Sequence, residues 1–355
     1  MKYLFYLVHP SKYYLFRKTI NELIYDGHKV KILISSKDVL NDLIKTEDWD
    51  YVNIFPEGRN SKKKLYYINK IALLFKTIIR LKPYAKKDYD FFITDDLLGF
   101  WGKLINVKTY FFTDDDIGAI KYLFFFMIFC DYIICPKGTN LGILNSRRIQ
   151  FNAFKQSAYL HPNVFIPNQS IIRKYKLREY NYVIIRKVSL HAIHDKGKEG
   201  LNLKTIDIIK NIFKEYTIIT IQEDVNGLMN QMTLERIQIN PSDILDIIYY
   251  ARCLVGDSQT MCAEAAFLGT PFIWSSHFLH KVPYLELLIN KYKLGYAVEL
   301  SDYTKIRECS LDILNSPFKN DTIQLFEDTI DLSEELVKLF NFDPRNGHNS
   351  KQRFL

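Results

Sequence analysis

Residues Cys253–Pro271, CLVGDSQTMCAEAAFLGTP, carry the most concentrated chemistry in the chain. An apolar run ends in Asp257 and Ser258, a small-residue helix follows, and Gly269 and Pro271 close it. Ser258 stands at the N-cap, where free N–H groups and the positive end of the helix dipole attract an anion such as a pyrophosphate. Thr260 and Glu264 are four residues apart, which stacks them on one helix face about 6 Å apart along the axis. The hydroxyl suits a phosphate oxygen, and the carboxylate, which accepts two O–H bonds at once, suits a ribose diol. These residues describe a cradle for a nucleotide diphosphate. The same residues also fit a capped helix that packs Ala263, Ala265 and Ala266 on a sheet and leaves Glu264 in water.

Other reactive groups follow apolar runs, at the strand ends where doubly wound sheets bind ligands. Asp95 and Asp96 come after FFIT, and Asp114, Asp115 and Asp116 come after YFFT. Neighbouring carboxylates push their pKa values apart, so that one serves as a base while another stays protonated. Asp95 and Asp114 are the first candidates, with helix capping as the competing use of each cluster. His9 follows the first run and titrates in the range of an acid/base, or it bonds the backbone as a loop residue. The run YVIIRKV leads into SLHAIHDKGKEGL, which holds His191, His194, Asp195 and Lys196. Arg186 and Lys196 suit phosphate charge, and an imidazole suits a leaving oxygen. Two His and an Asp are also metal-ligand types, but His191 and His194 lack a helical context and a clear third ligand, so no metal is expected. No cofactor is expected either.

The 253–271 segment resembles the nucleotide-binding signature of the non-hydrolysing UDP-N-acetylglucosamine 2-epimerases and of glycosyltransferases with the GT-B fold. In both, a Ser at the helix start holds the diphosphate and a Glu six residues on holds the ribose, the spacing of Ser258 and Glu264. The whole chain is similar to a family termed domain of unknown function 354, found in prokaryotic polysaccharide gene clusters. HPSKYYLFRKTINELIYDGHKV, YFFTDDDIGAIKYLFFFMIFCDYIICP, YVIIRKVSLHAIHDKGKEGL and GDSQTMCAEAAFLGTPFIW carry that likeness, over roughly residues 5 to 295. The resemblance implies acidic catalytic residues at the strand ends of Asp95 and Asp114, a His corresponding to His191, and a base- or sugar-reading role for Gln222 and Glu223. The 2-epimerases carry an Arg-containing motif after the first strand; this chain lacks it, which counts against an epimerase.

Positioning such groups requires two α/β halves. Apolar runs near 3–8, 29–34, 51–54, 90–94, 108–112 and 131–135 alternate with helical stretches such as 13–26 and 65–81. A second alternation covers 182–186, 217–221, 252–255 and 271–274. Crossovers of this length imply parallel sheets with helices on both faces. The expected architecture is therefore of the GT-B type, with two doubly wound Rossmann-like domains facing a central cleft. The domains expected are an acceptor domain over 1–175, a nucleotide-sugar domain over 176–318, and a helix crossing back with a frayed tail over 319–355.

Composition fits a globular enzyme. The 355 residues suffice for two domains, and 48% hydrophobic with 25% charged residues excludes disorder as the default. Five scattered cysteines, without a CxxC pair, fit a reducing cytoplasm. The run YLFFFMIF, residues 122–129, falls far short of a membrane span and reads as a core helix. Residues 56–87 carry ten Lys or Arg with Glu57, interleaved with apolar side chains, so the segment fits either a solvated face or an anionic membrane surface. Net charge of +8 favours acidic partners, but no nucleic-acid module accompanies it and no nucleic acid is expected. The function expected is a glycosyltransferase of cell-surface polysaccharide synthesis. It would take a nucleotide-diphosphate sugar, in the first place a UDP-sugar, and a glycan or lipid-linked acceptor, at the cytoplasmic membrane face. A nucleotide-sugar epimerase and a non-catalytic nucleotide-sugar-binding protein are the alternatives.

Overall fold

The computed structural model of the protein describes residues 1–36, 39–59, 66–118, 121–187, 201–222, 235–276, 279 and 282–341. The chain forms two units, one of residues 1–159 with the chain from Thr329 onward, the other of Leu160–Asp328.

The first unit contains strands β1 (Lys2–Leu7), β2 (Lys29–Ser35), β3 (Tyr51–Phe55), β4 (Phe91–Thr94), β5 (Lys108–Phe112), β6 (Tyr132–Pro136) and β7 (Arg148–Phe151). They pair in parallel in the order β3-β2-β1-β4-β5-β6-β7. Central strands are apolar on both faces because helices cover both; all four residues of β4, FFIT, are buried. The helix Pro10–Tyr25 starts with His9 as N-cap and Pro10 in its first turn, and buries Tyr13, Phe16, Ile20 and Leu23. The helix Leu332–Asn341 packs beside it, with Phe340 fully buried against Phe5 and Tyr110. The Tyr3 hydroxyl donates to the Phe340 carbonyl at 2.8 Å, tying this late helix to the first strand.

The second unit contains β8 (Tyr182–Lys187), β9 (Thr217–Gln222), β10 (Glu235–Arg236), β11 (Cys253–Gly256), β12 (Phe272–Ser275) and β13 (Gly295–Val298), in the parallel order β10-β9-β8-β11-β12-β13. Both sheets therefore reverse direction of growth at one place, between β1 and β4 and between β8 and β11, which is where a crevice opens at the carboxyl ends of the strands.

The division falls between Tyr159 and Leu160, earlier than the expected 175/176, and a physical reason is visible. The helix Gln169–Lys174 packs on the Ile244–Tyr249 helix. The Asn168 N–H donates to Asp246 at 2.6 Å, and Lys174 and the Tyr175 hydroxyl both reach Asp243 Oδ2 at 2.7 Å. YLFFFMIF also differs from the expected core helix. It is a turn and a four-residue helix, Phe124–Met127, that buries Phe126 and Met127 but exposes Tyr122 and Phe125. All five cysteines are buried and unpaired.

Candidate functional site

In the second unit the site is built on a close strand approach. Gly256 ends β11 beside Arg186 of β8, and a Cβ there would come within 3.0 Å of both the Arg186 Cβ and its carbonyl. A side chain there would press Arg186 aside, so glycine suits the meeting of these two strand ends, and the Asp257 N–H donates to the Arg186 carbonyl at 3.3 Å. The helix Gln259–Phe267 begins at once. Ser258 is its N-cap in extended conformation, with Oγ accepting a long 3.4 Å bond from the Met261 N–H. Asp257, Ser258, Gln259 and Thr260 are partly exposed, whereas every residue from Met261 to Ser275 is buried. The first turn of this helix is its most exposed part, the end where its dipole is positive. Glu264 is 5% exposed, so the solvated-surface reading of this carboxylate does not hold. Arg186 is also buried and donates to the Ile221 carbonyl at 3.3 Å. Gly269, in the left-handed region at φ +67°, ends the helix where a Cβ would meet the Asn320 carbonyl at 3.0 Å.

In the first unit, three strand ends deliver charge. His9 follows β1; its Nδ1 accepts from the Ser11 N–H at 3.1 Å and lies 2.9 Å from the Ser11 hydroxyl. That bond places the proton of a neutral ring on Nε2. Asp95 and Asp96 follow β4 and do different things. Asp96 is a structural anion: Oδ2 accepts from Arg59 at 2.8 Å and Oδ1 from the Leu97 N–H at 2.7 Å. Asp95 has a buried Oδ1 with no hydrogen-bond partner. Burial pushes its carboxyl up to about 6; the Lys12 ammonium pulls the other way and Asp96 adds to the rise. Asp114 follows β5 and sits between two cations, Lys155 at 2.6 Å and Lys12 at 3.9 Å. Burial opposes its ionisation, but Lys155 and Lys12 outweigh burial and hold the carboxyl well below the usual carboxylate range. Asp115 is pushed up by burial and by the Asp114 charge, and Asp116 accepts from the Asn140 N–H at 2.6 Å.

The two preferred carboxylates thus have separate chemistries. Asp95 can gain and lose a proton near neutral pH, and Asp114 is a fixed anion in an ion-pair cluster. Lys12 connects them, since it pairs with Asp114 and its field reaches Asp95. Its ammonium also lies 4.5 Å from the centre of the Phe112 ring. The sequence reading missed Lys12 and Lys155. Lys12 had a signal: a cation in the first turn of a helix opposes the dipole and needs an anion nearby. Lys155 had none, because it follows an edge strand with no clear sequence pattern. The candidates His191, His194, Asp195 and Glu223, with Lys196, lie outside the described residues.

No protein-family model matches the chain, and no curated protein matches it in sequence. Solved structures do. The UDP-GlcNAc 2-epimerase of Methanocaldococcus jannaschii superposes with a TM-score of 0.69 at 12% identity, over 97% of this chain and 100% of that one. The Neisseria meningitidis UDP-GlcNAc 2-epimerase bound to UDP-GlcNAc gives 0.62 at 11% identity, over 96% and 100%. Spinosyn forosaminyltransferase gives 0.57 at 12% identity, over 95% of each chain. Structures of both expected kinds, 2-epimerases and glycosyltransferases, are thus similar to this protein along nearly its whole length. With its two parallel Rossmann-like sheets, the protein has a fold of the GT-B type.

Proposed function

We propose that the protein is a glycosyltransferase of cell-surface polysaccharide synthesis that takes a nucleotide-diphosphate sugar, in the first place a UDP-sugar, as donor. The reading rests chiefly on the helix Gln259–Phe267, open at its anion-attracting start and carrying a buried carboxylate one turn further in. It is supported by the structural neighbours, two of which are named as UDP-GlcNAc enzymes. Ser258 and Thr260 would hold the diphosphate, Glu264 the ribose, and Arg186 would offset phosphate charge. Asp95 would take the proton of an acceptor hydroxyl as its oxygen attacks the anomeric carbon. The bond from that carbon to the diphosphate oxygen breaks, and the nucleotide diphosphate leaves into the field of the helix start.

Epimerisation is the second reading, favoured by the higher TM-score of the M. jannaschii epimerase, 0.69 against 0.57 for the transferase. Transfer is preferred because one proton is moved once. Inverting a carbon by deprotonation requires a proton taken from one face and returned to the other, and this chain lacks the Arg-containing motif that the 2-epimerases carry after the first strand.

Calorimetric titration of UDP, GDP, CDP and dTDP tests the reading. One nucleotide should bind, and Glu264→Ala and Glu264→Gln should each weaken it by more than about tenfold, some 1.4 kcal/mol. Binding of none, or binding indifferent to Glu264, ends the proposal. Solvent deuterium entering the nucleotide sugar without an acceptor would move the assignment to epimerase.

A further inference from the structure

The helix Tyr66–Leu81, YYINKIALLFKTIIRL, crosses from β3 to β4 and has two apolar faces where a surface helix needs one. The inner face packs Leu73, Leu74, Ile78 and Leu81 into the core of the first unit. The outer face carries Ile71, Phe75 and Ile79, which are 56%, 63% and 67% exposed. Their spacing of four places them in one stripe roughly 12 Å long. Exposed apolar side chains also stand on the adjoining helices. This helix packs against Leu98–Ile105, where Leu104 is 64% exposed, and that helix packs against Phe124–Met127, where Phe125 is also 64% exposed. Five large apolar side chains on three adjoining helices are more than the scattered single exposures of an ordinary surface.

The charges around them have one predominant sign. The helix contains no Asp or Glu; Lys82, Lys86 and Lys87 lie exposed just past its end, and Lys103 is exposed on the neighbouring helix. Glu57 beside the helix is already bonded by Lys76 and Arg80, and Asp88 is bonded by Lys2. An apolar stripe edged by cations selects among occupants. A second copy docked through the same face would set these lysines against themselves, an unfavourable like-charge contact. An anionic phospholipid surface accepts both parts, hydrocarbon for the stripe and headgroup phosphates for the ammonium groups.

We propose that the outer face of the Tyr66–Leu81 helix docks the protein on an anionic phospholipid surface, with Ile71, Phe75 and Ile79 entering the interface and Lys82, Lys86 and Lys87 on the headgroups. No described helix is long and apolar enough to cross a membrane, so the contact is peripheral. The inference is independent of the donor site and stands whichever reaction the protein performs.

Co-sedimentation of the full chain with phosphatidylglycerol-rich and with pure phosphatidylcholine vesicles tests it. Binding should occur on the anionic vesicles only. It should fall at least about tenfold in Phe75→Ser/Ile79→Ser, and on the order of a hundredfold in Lys82→Glu/Lys86→Glu/Lys87→Glu. Because the substituted residues are exposed, thermal melts should match the parent. In Phe75→Trp, emission should shift to the blue on anionic vesicles. No binding, an unmoved emission at Trp, or binding that survives Phe75→Ser/Ile79→Ser each overturns the proposal. So does a dimer in sedimentation that the serine pair dissolves, since the occupant is then a second copy.

Discussion

The two units arrange their strands in the same order around a point of reversal, yet their carboxyl edges carry different chemistry. At the first edge the groups are full charges: Asp95, Asp96 and Asp114 with Lys12, Arg59 and Lys155. At the second, the accessible groups are mostly backbone amides and small hydroxyls at a helix start, with Glu264 and Arg186 buried behind them. The topology decides where a site forms, and the few residues after each strand decide what it does. Charges that move protons suit a reacting hydroxyl. Fixed dipoles suit a diphosphate that has only to be held and released.

Breaking the first edge should have the largest effect. Asp95→Asn should lower turnover by roughly 10²- to 10⁴-fold with little change in nucleotide affinity, as measured by rate and by titration separately. The same substitution should alter stability in a direction set by pH. The folded protein holds Asp95 at about 6 against 3.8 for an unshifted Asp, so wild-type stability is fullest below 3.8 and is lost as pH rises through 6. Asn avoids that loss. Denaturant melts should therefore find Asp95→Asn more stable at pH 8 by up to roughly 3 kcal/mol, and equal to wild type below pH 3.8. A gain of the same size at both pH values would show that the carboxyl is not the cause.

Asp114→Asn tests the contrast within that edge. It strands the buried Lys12 ammonium and the partly buried one of Lys155, and should cost about 3 kcal/mol in unfolding free energy near neutral pH. The sign is opposite to that of Asp95. Because Asp114 is held low, its contribution is present above pH 3.8 and disappears as the medium is acidified below that point. The difference between wild type and Asp114→Asn should close in acid, and a constant difference would remove the ion pairs as its explanation.

The smallest effect belongs to the second edge. Ser258→Ala removes one long cap bond and should lower stability by about 1 kcal/mol. If the helix start holds the diphosphate chiefly through its N–H groups, nucleotide affinity should fall only a few-fold, well short of the Glu264 variants. A larger loss for Ser258→Ala than for Glu264→Ala would make the hydroxyl, and not the backbone, the principal contact.

Much of this architecture was legible in the sequence because central parallel strands are buried on both faces and leave unbroken apolar runs. FFIT and CLVG mark β4 and β11 in this way. Edge strands leave a weaker trace, although the edge strand β3 still shows as the run at 51–54. RIQF and GYAV, now β7 and β13, were passed over, and in each only the last residue is buried. The missing edge strand had a consequence for the site, since Lys155 comes just after β7 and could not be placed near Asp114 from spacing alone. The place of Ser258 as helix cap was legible because it directly precedes the small-residue helix that also carries Glu264. The different behaviour of Asp95 and Asp114 was not, because it depends on cations brought from distant parts of the chain.

The five cysteines have a practical corollary. Each is 3% exposed or less, and burial raises every thiol above its ordinary value, to about 12 for Cys135 and Cys253. Thiolate, the species that reacts with maleimides, is scarce at all five at neutral pH. The native protein is thus a silent background for labelling: a single cysteine placed on its surface would take up a fluorophore alone, without prior removal of the natural ones.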